Sequence, residues 1–234
     1  MDQAPTGKKA NCIEDLRRRI LTQELEPGSY LDEVEIGETY GISRPPVREV
    51  LRQLMGEGYV ILHENRGAQV APMSHKSLRN FFIAAPMIYA AVAQLAAQHA
   101  TPAHIERLKQ IQRNFRIAIR NGDAPERALL NERFHAAMGD VADNEYLLPS
   151  LRRLLIDHTR IGMTFYNPRQ TNLAKQQAIA ADQHDQFIEL IAAGDAQGAA
   201  DLAVDHWELS RVQIEQFVTP DSLQMPLGAP PRGA

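Results

Sequence analysis

The strongest constraint on the fold is a tight turn between two short helical segments near the N-terminus. The residues from about Asp32 to Tyr40 form a short helical pattern, and Gly41-Ile42-Ser43 then breaks it. A second helix is expected from Arg44 to Met55, where Pro45 and Pro46 stand in the first turn and cost little by lacking an N–H group. Two helices joined by so short a turn are typical of a helix-turn-helix.

Flanking segments extend this unit. Apolar residues at helical spacing predict an amphipathic helix from Asn11 to Leu25, ended by Pro27-Gly28. Tyr59–Leu62 and Ala68–Ala71 read as two strands joined at Asn65-Arg66-Gly67. The order helix, helix, turn, helix and hairpin predicts a winged helix-turn-helix over residues 11–73.

One face of the second helix carries three arginines four residues apart: Arg44, Arg48 and Arg52. Such a row of guanidinium groups suits phosphates and guanine edges in a DNA major groove. Ser43 is expected to be the N-cap and to accept a backbone hydrogen bond there. The alternative is that the arginines form an ordinary solvated face.

Bulk charge does not support DNA binding. The chain has a formal net charge of −4, and residues 1–72 hold 9 basic against 12 acidic residues. A basic domain is the usual footprint of a nucleic-acid-binding protein. The interpretation therefore depends on where the arginines lie.

This segment resembles the GntR family of transcription regulators. The resemblance covers Leu31–Leu54, with its SRPPVRE core, together with the later stretches EGYV and NRGAQV. It implies that Arg44 and Arg48 contact bases. The remaining DNA-binding residues that it implies are Ser43, Pro45 and Arg52 at the phosphate backbone and Arg66 and Gly67 at the tip of the wing. Gly37 departs from the family pattern and should weaken its helix by about 1 kcal/mol relative to alanine.

The chain is helical from about His75 onward. Six helices are expected, at roughly 75–100, 102–121, 124–141, 144–163, 172–193 and 195–217. Pro86 should kink or interrupt the first of them. The fold class is thus mainly α: an N-terminal winged helix-turn-helix followed by an antiparallel six-helix bundle over 75–218. Residues 1–10 and 219–234 are expected to be disordered tails.

Histidines in the helical half form a candidate metal site. Asn131 and His135 are one turn apart on one helix, and His184 and His206 lie in the last two helices. Antiparallel helices can bring such side chains together inside a bundle. Neutral imidazole suits zinc, nickel, iron or manganese, with positions left open for a substrate carboxylate or water. The other histidines, His158 among them, are interpreted as hydrogen-bonded or surface residues.

The helical half resembles the FCD effector domain of the FadR subfamily, and its six helices resemble the VanR branch more than FadR itself. The match rests on the NERFH segment and on the two later histidines. It implies a divalent metal, zinc first, held by Asn131, His135, His184 and His206. Many members carry aspartate at Asn131, so metal affinity should be lower here. Ala85-Pro86-Met87 stands where an arginine usually meets an effector carboxylate; Arg160 is the candidate substitute, beside Arg152 and Arg153.

These features predict a homodimeric regulator that binds a palindromic double-stranded DNA operator and is controlled by a small effector, an organic acid. Cys12 is the single cysteine, which fits a reducing compartment. The nearest apolar stretch, Ile83–Ala93, is too short to span a membrane, so a cytoplasmic location is expected.

A DNA-binding regulator with a structural or absent metal is an alternative. A metal-dependent hydrolase is another, although the chain lacks an HExxH-like general base, so no enzymatic activity is expected.

Overall fold

The computed structural model describes residues 7–64, 67–165 and 173–218. Within these ranges the chain forms nine helices and three short strands. The elements of the N-terminal half are α1 (Lys8–Leu21), β1 (Tyr30–Leu31), α2 (Glu33–Tyr40), α3 (Arg44–Glu57), β2 (Val60–His63) and β3 (Gly67–Val70). The helices that follow are α4 (His75–His99), α5 (Pro102–Asn121), α6 (Ala124–Ala142), α7 (Leu147–Phe165), α8 (Leu173–Ala193) and α9 (Ala196–Val218).

The N-terminal half is a winged helix-turn-helix, as predicted. Its antiparallel sheet has the order β1-β3-β2, with Leu31 opposite Ala68 and Val60 opposite Val70. One apolar core joins α1, α2, α3 and the sheet, and Leu16 and Leu54 lie at its centre with 1% and 0% exposure. The strand β1 was not predicted from the sequence, because two residues are too few to show an alternating pattern.

Helix α1 begins at Lys8, so the prediction of a disordered tail was wrong for residues 8–10. The reason is tertiary. Lys8 donates to the carbonyl of Gly41, and Lys9 pairs with Glu49 at 2.5 Å, so both lysines are anchored on the helix-turn-helix. Residues 1–6 and 219–234 lie outside the described residues.

Ser43 is the N-cap of α3, but its side chain makes no capping hydrogen bond there. A capping hydroxyl accepts from the amide of the second or third helical residue. In α3 these residues are Pro45 and Pro46, which have no N–H. The predicted cap bond is therefore wrong, and the hydroxyl stays exposed at the start of the helix.

Gly37 allows α2 to approach the turn that follows it. A Cβ atom at this position would lie 2.9 Å from the carbonyl oxygen of Ile42, which is backbone and cannot rotate away. The glycine is therefore required for close packing, and the interpretation of a merely weaker helix was incomplete.

Gly37→Ala is expected to destabilise the protein by about 1 kcal/mol or more, although alanine normally stabilises a helix by about that amount. Gly56→Ala in α3 is the matched control, because no atom lies within 4 Å of its added Cβ. That substitution should instead raise the free energy of unfolding by about 0.5–1 kcal/mol. Urea denaturation of the three proteins measures both effects, and a stabilised Gly37→Ala protein would contradict the packing argument.

The helical half is a six-helix bundle whose core contains α4. Helix α4 continues through Pro86 without interruption and packs on α6, α7, α8 and α9. By length and composition alone α4 is able to cross a membrane, since an 18-residue window within it has a mean hydropathy of 1.5. The apolar stretch predicted from the sequence, Ile83–Ala93, is shorter than this helix. Packing against four other helices is typical of a core helix.

Candidate functional site

The arginine row lies on the exposed face of α3. Arg44, Arg48 and Arg52 are all exposed, and Val47, Val50 and Leu51 on the opposite face are buried. Arg48 donates from Nε to Glu33 of α2 at 3.0 Å. This bond uses Nε, and the two terminal nitrogens make no hydrogen bond to any other residue that the structure describes.

The other predicted DNA-contacting residues lie near this face or on the wing. Ser43 and Pro45 are exposed at the start of α3, beside the row. Gly67 begins β3 with a positive φ of 77°, a conformation that glycine adopts without strain. Arg66 lies outside the described residues. Nothing in the sequence pointed to Glu33, because its role depends on the packing of α2 against α3.

Three of the four predicted metal ligands converge inside the bundle. His135 of α6, His184 of α8 and His206 of α9 are buried, and each has a ring nitrogen within 4.8 Å of a nitrogen of the other two. Their ring centroids are 5.1–5.3 Å apart. Sequence spacing alone placed these residues on different helices, and the bundle topology brings them together.

Glutamine side chains orient two of the imidazoles. The Nδ1 of His184 lies 3.2 Å from Oε1 of Gln112, and the Nδ1 of His206 lies 2.8 Å from Oε1 of Gln183. Gln112 donates its own amide to the carbonyl of Ala181 at 2.6 Å, which directs its oxygen towards His184. An amide oxygen only accepts, so each Nδ1 carries the proton and each Nε2 keeps its lone pair.

The donor set fits a divalent metal. The Nε2 atoms of His135 and His184 are buried and have no hydrogen-bond partner among the described residues. Burial lowers the pKa of His206 to about 3 and holds the pKa of His135 and His184 well below the ordinary value. Three neutral imidazoles with free lone pairs are ligands that zinc and similar ions prefer.

A small cavity opens beside this cluster. His135 and His206 form one side of it, and its volume of about 10 Å³ has room for roughly one water molecule. Tyr89 and His158 form a polar pair in its wall, joined at 2.8 Å. The remaining lining residues are apolar: Val92, Met138, Phe187, Ala203 and Trp207. Among the described residues that line it there is no lysine or arginine.

The two remaining predicted site residues lie in different places. Asn131 is half-buried on α6, one turn before His135, as the sequence spacing requires. Arg160 does not line the cavity. Its guanidinium is fully buried between Asp157 and the carbonyl of Ala71, at the junction with the winged half. The prediction that Arg160 meets an effector is corrected by this placement.

Gln112 and Tyr89 were missed in the sequence. Gln112 interrupts the apolar stripe of α5 between Leu108 and Phe115, and a polar residue at such a position is a signal of a buried hydrogen bond. Tyr89 gives no comparable signal in an apolar helix.

Gln112→Leu is expected to lower zinc affinity by about 10- to 100-fold, because it removes the acceptor that orients His184. Gln110→Leu, on the exposed face of the same helix, should leave affinity unchanged. Competition with a chromophoric chelator measures both, and equal affinities of Gln112→Leu and the parent would refute the orienting role.

Comparison with known sequences matches each half of the chain to a described family or domain. Residues 8–70 match the family described as bacterial regulatory proteins, gntR family, and residues 87–209, more than half of the chain, match the FCD domain. The chain is 30% identical over 139 residues to the HTH-type transcriptional repressor RspR of Escherichia coli, a match covering 59% of this chain and 61% of RspR. It is 24% identical to the HTH-type transcriptional regulator LutR of Bacillus subtilis, covering 80% and 92% of the two chains.

Solved structures show the same fold. E. coli McbR/YncC superposes with a TM-score of 0.76 at 16% sequence identity, covering 91% of this chain and all of that chain. At this identity the likeness concerns the fold alone. The two sequence matches, in the same order as the two structural halves, lead to one conclusion: the chain belongs to the gntR family of bacterial regulatory proteins and carries an FCD domain as its helical half.

Proposed function

We propose that the protein is a DNA-binding transcription regulator whose operator affinity is controlled by a small effector bound beside a metal in the FCD domain. The observation that carries the proposal is the pairing, in one chain, of an exposed arginine face on α3 with a buried cluster of three histidines that adjoins a cavity. Because α1 begins at Lys8, we assign residues 8–73 to the winged helix-turn-helix and residues 75–218 to the effector domain.

Helix α3 would enter the major groove, with Arg44 and Arg48 at base edges and Arg52 at phosphates. The exposed start of the helix, with Ser43 and Pro45, would lie against the backbone. Gly67, at the start of β3, would lie at the adjacent minor groove. A homodimer would place two copies of α3 on a palindromic site, since two-fold protein symmetry requires a two-fold operator. Two relatives, RspR and the gluconate operon regulator of Bacillus licheniformis, are named repressors, so we propose repression.

The metal would be held by the Nε2 atoms of His135, His184 and His206, with the amide oxygen of Asn131 as a further ligand. When bound it would supply a Lewis-acidic centre for an effector carboxylate. Because the lining holds no lysine or arginine among its described residues, the ion would be the principal positive charge that an anionic effector meets. The cavity has room for roughly one water molecule, so even a short organic acid would require the apolar wall to move.

A regulator in which the metal is only structural remains the second candidate. It is favoured by the amide at Asn131, which brings no negative charge to the ion. In that case zinc would stabilise the protein and no carboxylic acid would add to its effect.

Two measurements test the proposal. Selection from a random double-stranded DNA pool should return a two-fold symmetric sequence, and failure to enrich any sequence would refute the DNA-binding part.

Mass spectrometry should find one metal ion per chain, and a thermal-shift screen of small carboxylic acids should find stabilisation that a chelator removes. Stabilisation that persists in chelator would remove the metal from effector binding.

A further inference from the structure

Helix α7 carries a fully buried arginine that binds the winged half. The side chain of Arg160 has 0% exposure. Its Nη1 donates to the carbonyl of Ala71 at 2.6 Å, and its Nη2 donates to Asp157 at 2.5 Å. Ala71 directly follows the wing strand β3. A buried charge is retained only where it is well paired, so this guanidinium is fixed in one geometry.

The main chain at the same position holds a second segment of the winged half. The side-chain amide (Nε2) of Gln23 donates to the main-chain carbonyl oxygen of Arg160. Gln23 follows α1 and has a positive φ of 60°, which is uncommon for a residue other than glycine. One residue of α7 thus binds the chain after α1 and the chain after β3.

The end of the recognition helix α3 contacts α7 as well. Gly58, its C-cap, has a φ of 92°, and the position of an added Cβ would be 2.5 Å from Cδ of Arg153. Arg153 therefore lies directly over the C-cap. It also donates to Asp157 at 2.8 Å, so the carboxylate of Asp157 joins the two arginines of α7.

The opposite side of α7 faces the effector cavity. His158 stands two residues before Arg160, and residues two apart on an α-helix point about 200° from each other. His158 lines the cavity and bonds to Tyr89 of α4. A shift of α7 that follows a change in the cavity therefore moves the contacts of Arg160.

We propose that Arg160 is a positioning residue: it holds the winged helix-turn-helix in a fixed pose against the FCD domain, and α7 transmits a change at the metal and effector site to that pose. The second part rests on the proposed function. The first part is independent of it, because it rests on the contacts of Arg160 with Ala71, Asp157 and Gln23, which do not belong to the histidine cluster.

The test measures the distance between two nitroxide spin labels, one on each half of the full-length chain. Glu38 of α2 and Lys109 of α5 are exposed and are replaced by cysteine for labelling, whereas Cys12 is fully buried. Labelled protein is diluted with unlabelled protein, so that pairs within one chain dominate. Distances are recorded without metal and with zinc alone. The variants are Arg160→Met, Arg160→Lys and, as the matched control on the same helix, Arg152→Met, whose side chain is 65% exposed.

The parent and Arg152→Met should give a narrow distance distribution, and Arg160→Met should give one at least twofold wider. Arg160→Lys should be intermediate, because an ammonium group can reach one acceptor but does not reproduce the fork that bridges two. Zinc should shift the mean distance between the labels in the parent and should not shift it in Arg160→Met. The zinc dissociation constants of the two proteins should agree within about threefold. If Arg160→Met does not fold, Gln23→Ala removes the second link and takes its place.

A distribution in Arg160→Met as narrow as in the parent would overturn the positioning role. Zinc binding without a shift in the parent, or with the same shift in Arg160→Met, would overturn the transmission by α7. A parent that binds no zinc would contradict the metal part of the proposed function, and the comparison without metal would still decide the role of Arg160.

Discussion

Arg48→Ala is expected to abolish specific DNA recognition while leaving the fold intact. Arg48 is exposed on α3. Its Nε donates to Glu33, and its two terminal nitrogens, which make no hydrogen bond among the described residues, would meet a guanine edge. A bidentate arginine–guanine pair contributes about 1–3 kcal/mol of discrimination, which corresponds to roughly 5- to 150-fold in affinity for each half-site. Fluorescence anisotropy with the DNA selected from a random pool measures the loss.

Two further variants separate base reading from charge. Arg52→Ala should weaken binding to selected and unselected DNA alike, because phosphate contacts carry no sequence information. Arg113→Ala removes the same charge from the exposed face of α5 and should have no effect on either. Arg48→Ala protein that binds the selected DNA as tightly as the parent would show that α3 is not the recognition helix.

His184→Ala is expected to reduce zinc affinity by more than 100-fold. The imidazole is one of three converging ligands, and even residues that only orient a ligand cost 10- to 100-fold when lost. The variant should also lose zinc stabilisation, which for the parent is about 2.7 kcal/mol at a free zinc concentration 100 times the dissociation constant. Calorimetric titration and thermal denaturation measure the two effects.

The control for this variant is His75→Ala, which removes an exposed imidazole at the start of α4. It should bind zinc as the parent does. Because His184 stacks on Phe134 at a ring distance of 4.1 Å, its removal also disturbs packing. The thermal stabilities of the metal-free parent and of metal-free His184→Ala are therefore compared first, in the presence of chelator. Zinc affinity of His184→Ala within threefold of the parent would contradict the assignment of the site.

Local patterns in the sequence were sufficient for the element order and for the faces of single helices. The spacing of Arg44, Arg48 and Arg52 placed them on one exposed face, and the FCD resemblance together with helix positions named His135, His184 and His206. The arginines repeat every four residues, so periodicity reports their shared face directly. The same local reasoning failed at Ser43, where the neighbouring prolines remove the amides that a cap needs.

Residues whose role depends on distant partners were assigned wrongly or missed. Arg160 was predicted to meet an effector, as a substitute for the arginine that the FCD resemblance implies where Ala85-Pro86-Met87 stands. Its partner is the carbonyl of Ala71, 89 residues away, and no local pattern indicates it. Gln112 orients His184 from 72 residues away, and only its place in an apolar stripe pointed to burial.

The sequence by itself determined the two-part fold, the arginine face of α3 and the identities of three convergent histidines. The first two depend on side-chain chemistry repeated at helical spacing or on turn residues with fixed backbone preferences, and the histidines were named by the resemblance to the FCD domain. Only the tertiary structure decided which nitrogens of the histidines remain free and where α7 meets the winged half. These properties are set by how whole helices pack, since packing selects among the hydrogen-bond partners that each side chain could reach.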